Sequence, residues 1–445
     1  MSTICAISTP YGSGGIAIVR VSGESAIQIV DSLFHGRKSL MEAGAYTIHY
    51  GELIKPIDDE VLDQVLVSIF RAPHSFTGED VVEIACHGSL YIQQTLLQWL
   101  VDAGCQLAKA GEFTQRAFLN GKMDLTEAEA VADLIAAQTK AEKDLALSQL
   151  RGGISNELAT LRERLLTITS LIELELDFAD HEELEFADRS QLNELAEEID
   201  AKIGRLVASF KTGNAIKHGI PVAIIGAPNV GKSTLLNALL GEERAIVSDI
   251  QGTTRDTIED TLVLGGMLFR FIDTAGLRQT DDTIESMGIE RSRQAAHKAA
   301  VIIHLLDASQ PIDTLAELNE ISDKKIIHVY NKVDLTPSFE TKEGTIAISA
   351  KRGNIDRLRE ELVTFAAEQC HIRNAVTISN TRHYEALVRA QEAIRRVQDG
   401  LQMQISGEFL SMDLQDCLTA LGEITGKISS QEVLNNIFSK FCIGK

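Results

Sequence analysis

The stretch Gly226-Ala-Pro-Asn-Val-Gly231-Lys232-Ser233 constrains this chain more than any other. It follows the β-branched run VAIIG and opens the helical run TLLNALL. A glycine-rich turn between strand and helix lets backbone N–H groups close around phosphate oxygens, and the helix N-terminus adds a favourable field. Lys232 would neutralise charge on the β- and γ-phosphates, a catalytic as well as a binding role, and the Ser233 hydroxyl would ligate Mg²⁺. Such a turn belongs on a parallel sheet. The runs PVAIIG, MLFRFID, AAVIIHLLD, KKIIHVYNK and GTIAISA alternate with helical stretches between Gly219 and Gln369 and predict one, with helices on both faces.

Further segments name the base. Asp273-Thr274-Ala275-Gly276 ends the strand FRFID, where Asp273 can hold Mg²⁺ through water and Gly276 can face the γ-phosphate. Asn331-Lys332-Val-Asp334 ends IIHVY, and the Asp334 carboxylate can accept both the N1–H and the exocyclic amino group of guanine. Adenine lacks that donor pair and would leave a buried carboxylate unpaired. Ser349-Ala350-Lys351 offers a backbone amide to the guanine carbonyl. Together with Asn229, Val230 and Thr234 around the first loop, these predict a guanine nucleotide-binding domain binding GTP and GDP.

Hydrolysis is less direct. Ras-like enzymes that orient water with glutamine carry it directly after D-T-A-G, and that position is Leu277 here. Leucine cannot align a water, so another group must. The following segment offers Asp281, Asp282, Glu285 and Glu290, and composition does not choose among them. The segment Ser248-Asp249-Ile250-Gln251-Gly252-Thr253-Thr254-Arg255 would close over the nucleotide, with Thr254 on Mg²⁺ and Arg255 a competing source of transition-state charge. The Asn229 side chain can shape the turn or help hold a monovalent cation beside the phosphates, and the residues alone leave both readings open.

The rest of the chain has other textures. Residues 1–120 mix β-branched runs with Gly and Pro punctuation and read as an α/β domain. From Asp124 a helical periodicity runs unbroken to Gly152-Gly153, and Leu158, Leu161, Leu165, Ile168 and Ile172 then mark one face of a bundle helix. Helical texture returns late in the chain. The fold class is therefore multidomain α/β plus all-α, with a helical domain in two parts (121–215 and 376–445) carrying an inserted α/β module at 216–375. A net charge of −22 argues against coating nucleic acid unaided. The six scattered cysteines, no leader-like start and no 18-residue apolar run predict a cytoplasmic protein. Cys442 in FCIGK sits where a prenylation box would place it, but Gly444 and Lys445 do not suit one and no polybasic run precedes it, so no membrane anchor is expected.

ISTPYGSGGIAIVRVSG, SFTGEDVVEIACHG, GEFTQRAFLNGKMDLTEAEAVADLI, GAPNVGKSTLLNALL, GTTRD, DTAGLR, NKVD and FCIGK occur in one order over the whole chain. In these the chain resembles the MnmE (TrmE) family of bacterial tRNA-modification GTPases. The resemblance implies an N-terminal folate-binding-like domain that dimerises, a helical domain and an inserted Ras-like G domain. It implies a homodimer acting with the FAD protein MnmG (GidA), in a heterotetramer or larger complex, to install a (carboxymethyl)aminomethyl-type group at C5 of wobble uridine 34 of certain tRNAs. The one-carbon unit would come from a tetrahydrofolate derivative, in its 5-formyl or methylene form. It further implies K⁺-dependent pairing of G domains, with Asn229, Ser248, Ile250 and Thr253 holding the ion, and Glu285 orienting the water. Arg20, Glu83 and Lys122 match the family's folate contacts, and Lys445 points to the same site. Cys442 is a candidate for the chemistry there, with a structural role as its alternative.

Overall fold

The computed structural model describes residues 2–55, 60–177, 189–241, 260–272, 294–310, 324–336, 339–341, 343–369 and 376–444. It divides into two units, Met1–Ala136 with Gln149–Ala196 and Glu392–Lys445, and Ala137–Ser148 with Glu197–Gln391.

The first unit opens with β1 (Ile4–Ile7), β2 (Gly14–Ser22), β3 (Phe34–Gly36), β4 (Thr47–Lys55), β5 (Glu60–Phe70), β6 (Val81–Gly88) and β7 (Gln106–Leu107). They form a seven-stranded sheet in the order β3-β4-β5-β6-β2-β1-β7. Helices α1 (Ala26–Asp31) and α2 (Leu90–Asp102) supply apolar side chains to its core. The alternation of the strands decides which side faces them: Val19 and Val21, Val65, Val67 and Ile69, and Ile84 and Cys86 are buried with Leu96 and Leu100 of α2. Arg20 and Glu83, at the intervening positions, point to the other face and are register partners across β2 and β6.

Helices α3 (Glu112–Leu119) and α4 (Leu125–Ala136) follow. The long helical periodicity after Asp124 is in fact two helices, because α5 (Lys140–Leu150) starts afresh. The Thr139 hydroxyl accepts from the Glu142 N–H (3.1 Å) and the Glu142 carboxylate accepts from the Gln138 N–H (2.7 Å). This reciprocal cap satisfies donors that an unbroken helix would have paired internally. In α6 (Gly153–Asp177) the stripe Leu158, Leu161, Leu165, Ile168 and Ile172 is buried, and the helix Gly407–Thr425 packs along α6. Each such side chain contributes roughly 1.5–3 kcal/mol relative to exposure.

In the second unit, after α7 (Arg189–His218) begins in the first, come β8 (Ile220–Ile225), α8 (Lys232–Leu240), β9 (Asp260–Leu264), β10 (Met267–Phe271), β11 (Val301–Asp307), β12 (Lys325–Asn331) and β13 (Thr345–Ala347). The sheet runs β13-β12-β11-β8-β10-β9. All neighbours are parallel except the β9–β10 hairpin, which turns at Gly265-Gly266. Parallel strands covered on both faces read as continuous apolar runs, and every residue of β11 is buried. The C-terminal ends of β8, β11 and β12 therefore emerge together, with α8 starting just beyond β8.

Candidate functional site

Between β8 and α8 the chain makes two left-handed turns, at Asn229 (φ +61°) and Gly231 (φ +100°). A Cβ on Gly231 would collide with Nδ2 of Asn331, so glycine is required there by backbone and by space. The turns lead into α8, whose first residues are Lys232, Ser233 and Thr234. The Lys232 ammonium donates to the carbonyls of Gly226 and Ala227 (both 2.8 Å). Burial lowers its pKa below the ordinary lysine value, because two neutral carbonyls compensate lost hydration only in part. An anion in the loop would supply the missing charge.

Asn331 fixes this loop from the end of β12. Its Nδ2 donates to the Val230 carbonyl (2.8 Å), and its Oδ1 accepts from the Ala350 N–H (3.0 Å). One buried amide thus joins the phosphate-loop segment to the Ser349–Lys351 segment. Lys332, itself left-handed (φ +65°), donates through Nζ to the Asn229 carbonyl (2.7 Å) and to the Asp307 carboxylate (2.7 Å). Asp334 accepts from the Ser349 hydroxyl (2.7 Å), and Arg352 Nε lies 3.6 Å from its other oxygen. The Ser349 bond, aided by the nearby Arg352 and Lys351 charges, holds the Asp334 carboxyl below the ordinary aspartate pKa. The carboxylate is thus ionised at neutral pH, as an acceptor of two base N–H groups must be.

The structure therefore brings together Asn229, Val230, Gly231, Lys232, Ser233, Thr234, Asn331, Lys332, Asp334, Ser349, Ala350 and Lys351. Ser248 to Thr254, Asp273 to Gly276, Glu285 and Lys445 lie outside the described residues. Ser233 and the exposed Asn229 side chain offer oxygen donors at the loop, a chemistry that fits the hard cations Mg²⁺ and K⁺. Asp307 had no part in the sequence motifs. An acid at a strand's end is an ordinary sight, and its partner Lys332 is distant in sequence until β11 and β12 pair.

In the first unit Arg20 donates from Nε (2.9 Å) and Nη2 (2.7 Å) to a single oxygen, Oε1, of Glu83. The guanidinium also lies over the rings of Phe76 (5.6 Å) and Phe113 (5.7 Å). Lys122 donates to the Pro73 carbonyl (3.0 Å), in the loop that carries Phe76. Two of the expected folate contacts thus face one another as an ion pair, while Lys122 braces a neighbouring loop. A carboxylate oriented by a guanidinium that itself lies over two aromatic rings suits a flat heterocycle with adjacent N–H donors, so these residues fit a pterin. Cys86 and His87 point to opposite faces of β6: burial, then the Asp63 charge, pushes the Cys86 thiol up to about 11, and His87 Nδ1 pairs with Asp63 (2.7 Å).

The C-terminal segment docks on this unit. Phe438 and Phe441 pack with Phe118, the Cys442 carbonyl accepts from the Gly111 N–H (3.4 Å), and the Gly444 carbonyl accepts from the Ser8 hydroxyl (3.1 Å). Arg20 and this tail share supports, since Gly111 opens α3, which carries Phe113, and Ser8 follows β1, which pairs with β2. The Cys442 side chain is exposed. Gly444 has φ +91°, and a Cβ there would strike the Ile7 carbonyl. Gly444→Ala should therefore undock the tail and raise carboxypeptidase trimming of the last residues by about fivefold or more, followed by mass spectrometry. Trimming at the wild-type rate would show that the docking contributes nothing.

Known families match both parts of the chain. A model described as "GTP-binding protein TrmE N-terminus" matches residues 3–122, and one described as "MnmE helical domain" matches residues 125–442. A protein named tRNA modification GTPase MnmE from Parabacteroides distasonis is 54% identical over 463 residues, covering 100% of both chains. Its namesake from Bacteroides thetaiotaomicron is 51% identical, covering 100% of this chain and 99% of the relative. Among solved structures, the Era protein of Aquifex aeolicus matches 39% of this chain and 66% of its own at 26% identity, with a TM-score of 0.25.

Proposed function

Because the chain belongs to the MnmE (TrmE) family of tRNA modification GTPases, we propose that it hydrolyses GTP in the service of tRNA modification, with MnmG as the FAD-bearing partner and C5 of wobble uridine 34 as the target. The observation that carries the nucleotide part is the Asn331 side chain, which bonds Val230 on one side and Ala350 on the other. It holds a phosphate-binding turn and a base-binding turn at fixed separation, with Asp334 tied to the second turn by the Ser349 hydroxyl.

In this reading the loop N–H groups and Lys232 bind the phosphates, Asp334 and a backbone amide of the Ser349–Lys351 turn read guanine, and Ser233 with Thr254 hold Mg²⁺ through oxygen. Asp273 to Gly276 would sense the γ-phosphate. Asn229, Ser248, Ile250 and Thr253 would hold K⁺, a cation able to offset transition-state charge as two G domains of a homodimer pair. Glu285 would orient the water. Arg20, Glu83, Lys122 and Lys445 would bind the tetrahydrofolate derivative, Glu83 accepting from its pterin and the basic groups steering its acidic tail. Cys442, exposed on the docked tail, would lie within the same region.

The test is nucleoside analysis of tRNA from cells lacking the protein. Wobble uridines should lose their C5 aminomethyl-type modification and regain it with a plasmid copy. Unaltered nucleosides would favour a GTPase that binds RNA in ribosome assembly.

A further inference from the structure

Asp307 closes β11 opposite Asn331 of β12 in the parallel register. Its side chain is 4% exposed, yet it is charged and fully engaged. One oxygen takes the Lys332 ammonium (2.7 Å), while the other takes the Ser309 N–H (2.9 Å) and hydroxyl (2.6 Å). The Ala308 N–H also donates to the Asn331 carbonyl (2.9 Å), so the backbones of the two strand ends are locked beside the ion pair.

Lys332 needs such a partner. It stands in a left-handed turn, where no regular strand neighbours direct its side chain, and its four-carbon stem is flexible. The ammonium nevertheless meets the carbonyl of Asn229, in the middle of the phosphate loop. Without Asp307 the ammonium would retain a single carbonyl and regain its freedom to swing into water. With Asp307 it forms a second strut between base-reading and phosphate-binding segments, parallel to the one made by Asn331.

We propose that Asp307 is a positioning residue for guanine nucleotide binding, which sets affinity by fixing the Lys332 ammonium on the Asn229 carbonyl and touches no part of the nucleotide. The proposal rests on the GTP-binding reading above. Its test is a double-mutant cycle on the full-length protein, read as the Kd for a fluorescent GDP analogue. Asp307→Asn should weaken binding roughly tenfold to a hundredfold, and Lys332→Gln by a similar factor. The double variant should bind no more weakly than Lys332→Gln alone, because the Asp307 carboxylate then has no ammonium to hold.

A merely structural Asp307 would lower affinity by the same factor in both backgrounds, and that result overturns the proposal. So does an Asp307→Asn protein that binds like wild type. If circular dichroism shows Asp307→Asn unfolded, Ser309→Ala takes its place in the cycle. It removes one donor to the carboxylate and should weaken binding about threefold in wild type and not at all beside Lys332→Gln. Unchanged binding in that variant also overturns the proposal. Failure of wild type to bind GDP would instead refute the nucleotide reading itself.

Discussion

Asp334→Asn should weaken GDP and GTP binding by about a hundredfold or more and at the same time create affinity for xanthine nucleotides. The argument is one of donors and acceptors. Asp334 is held ionised by the Ser349 hydroxyl and the Arg352 charge, so it presents only acceptors to guanine's N1–H and amino group. Because its folded pKa is depressed, this state persists through neutral pH and is lost only as the pH falls through that lowered value. An asparagine amide turns a donor toward the guanine amino group, two hydrogens meeting where one bond stood. Xanthine carries a carbonyl at that place and would accept. Titrations with fluorescent GDP and XDP measure both effects. Guanine affinity within threefold of wild type, or no gain for XDP, would sink the assignment of Asp334 as the base reader.

Glu285→Ala should reduce kcat for GTP hydrolysis by about a hundredfold to a thousandfold while leaving GDP affinity unchanged. Leu277 occupies the position where a glutamine would otherwise orient the water, and Glu285 is the acid proposed above for that task. A group that acts only on the water contributes to the transition state and not to ground-state binding. On the proposed K⁺ site, the same enzyme should run about tenfold or more faster in K⁺ than in Na⁺, since an oxygen cage of that size would hold the smaller ion poorly. A variant with unaltered kcat would remove Glu285 from the mechanism, and equal rates in both salts would remove the cation. Neither result would touch the assignment of the nucleotide-binding residues.

Much of the second unit was legible because the central parallel strands of a covered sheet must be largely apolar. VIIHLLD and KIIHVYN announce themselves, and their terminal Asp307 and Asn331 mark where the sheet ends. The strand β9 was not foreseen, since DTLVL is short and its identity depends on pairing through Gly265-Gly266 with β10. The break between α4 and α5 was missed for a related reason. Neither glycine nor proline marks it, and the signal lay in the spacing of Thr139 and Glu142, whose side chains cap the second helix.

The candidate site was legible wherever neighbours in sequence shape it, as in the turn from Gly226 to Ser233 or the strand end from Asn331 to Asp334. It was illegible where the partner arrives through topology. The Lys332–Asp307 pair exists only because β11 and β12 are in register. The Arg20–Glu83 pair likewise follows from the register of β2 and β6, and the stacking on Phe76 and Phe113 from a loop and a helix no local pattern connects.

The hydrogen bond from Ser8 to Gly444 joins residues 436 positions apart. A ribosome adding roughly 5–20 residues per second makes these two partners about 20–90 s apart. Throughout that interval the first strand exists without the segment that will cover it, joined partway by the start of α3, while an entire second sheet is synthesised in between. The N-terminal unit is therefore finished last although it is begun first. Its completion reports that everything between has been translated, so a truncated or stalled chain presents this surface bare.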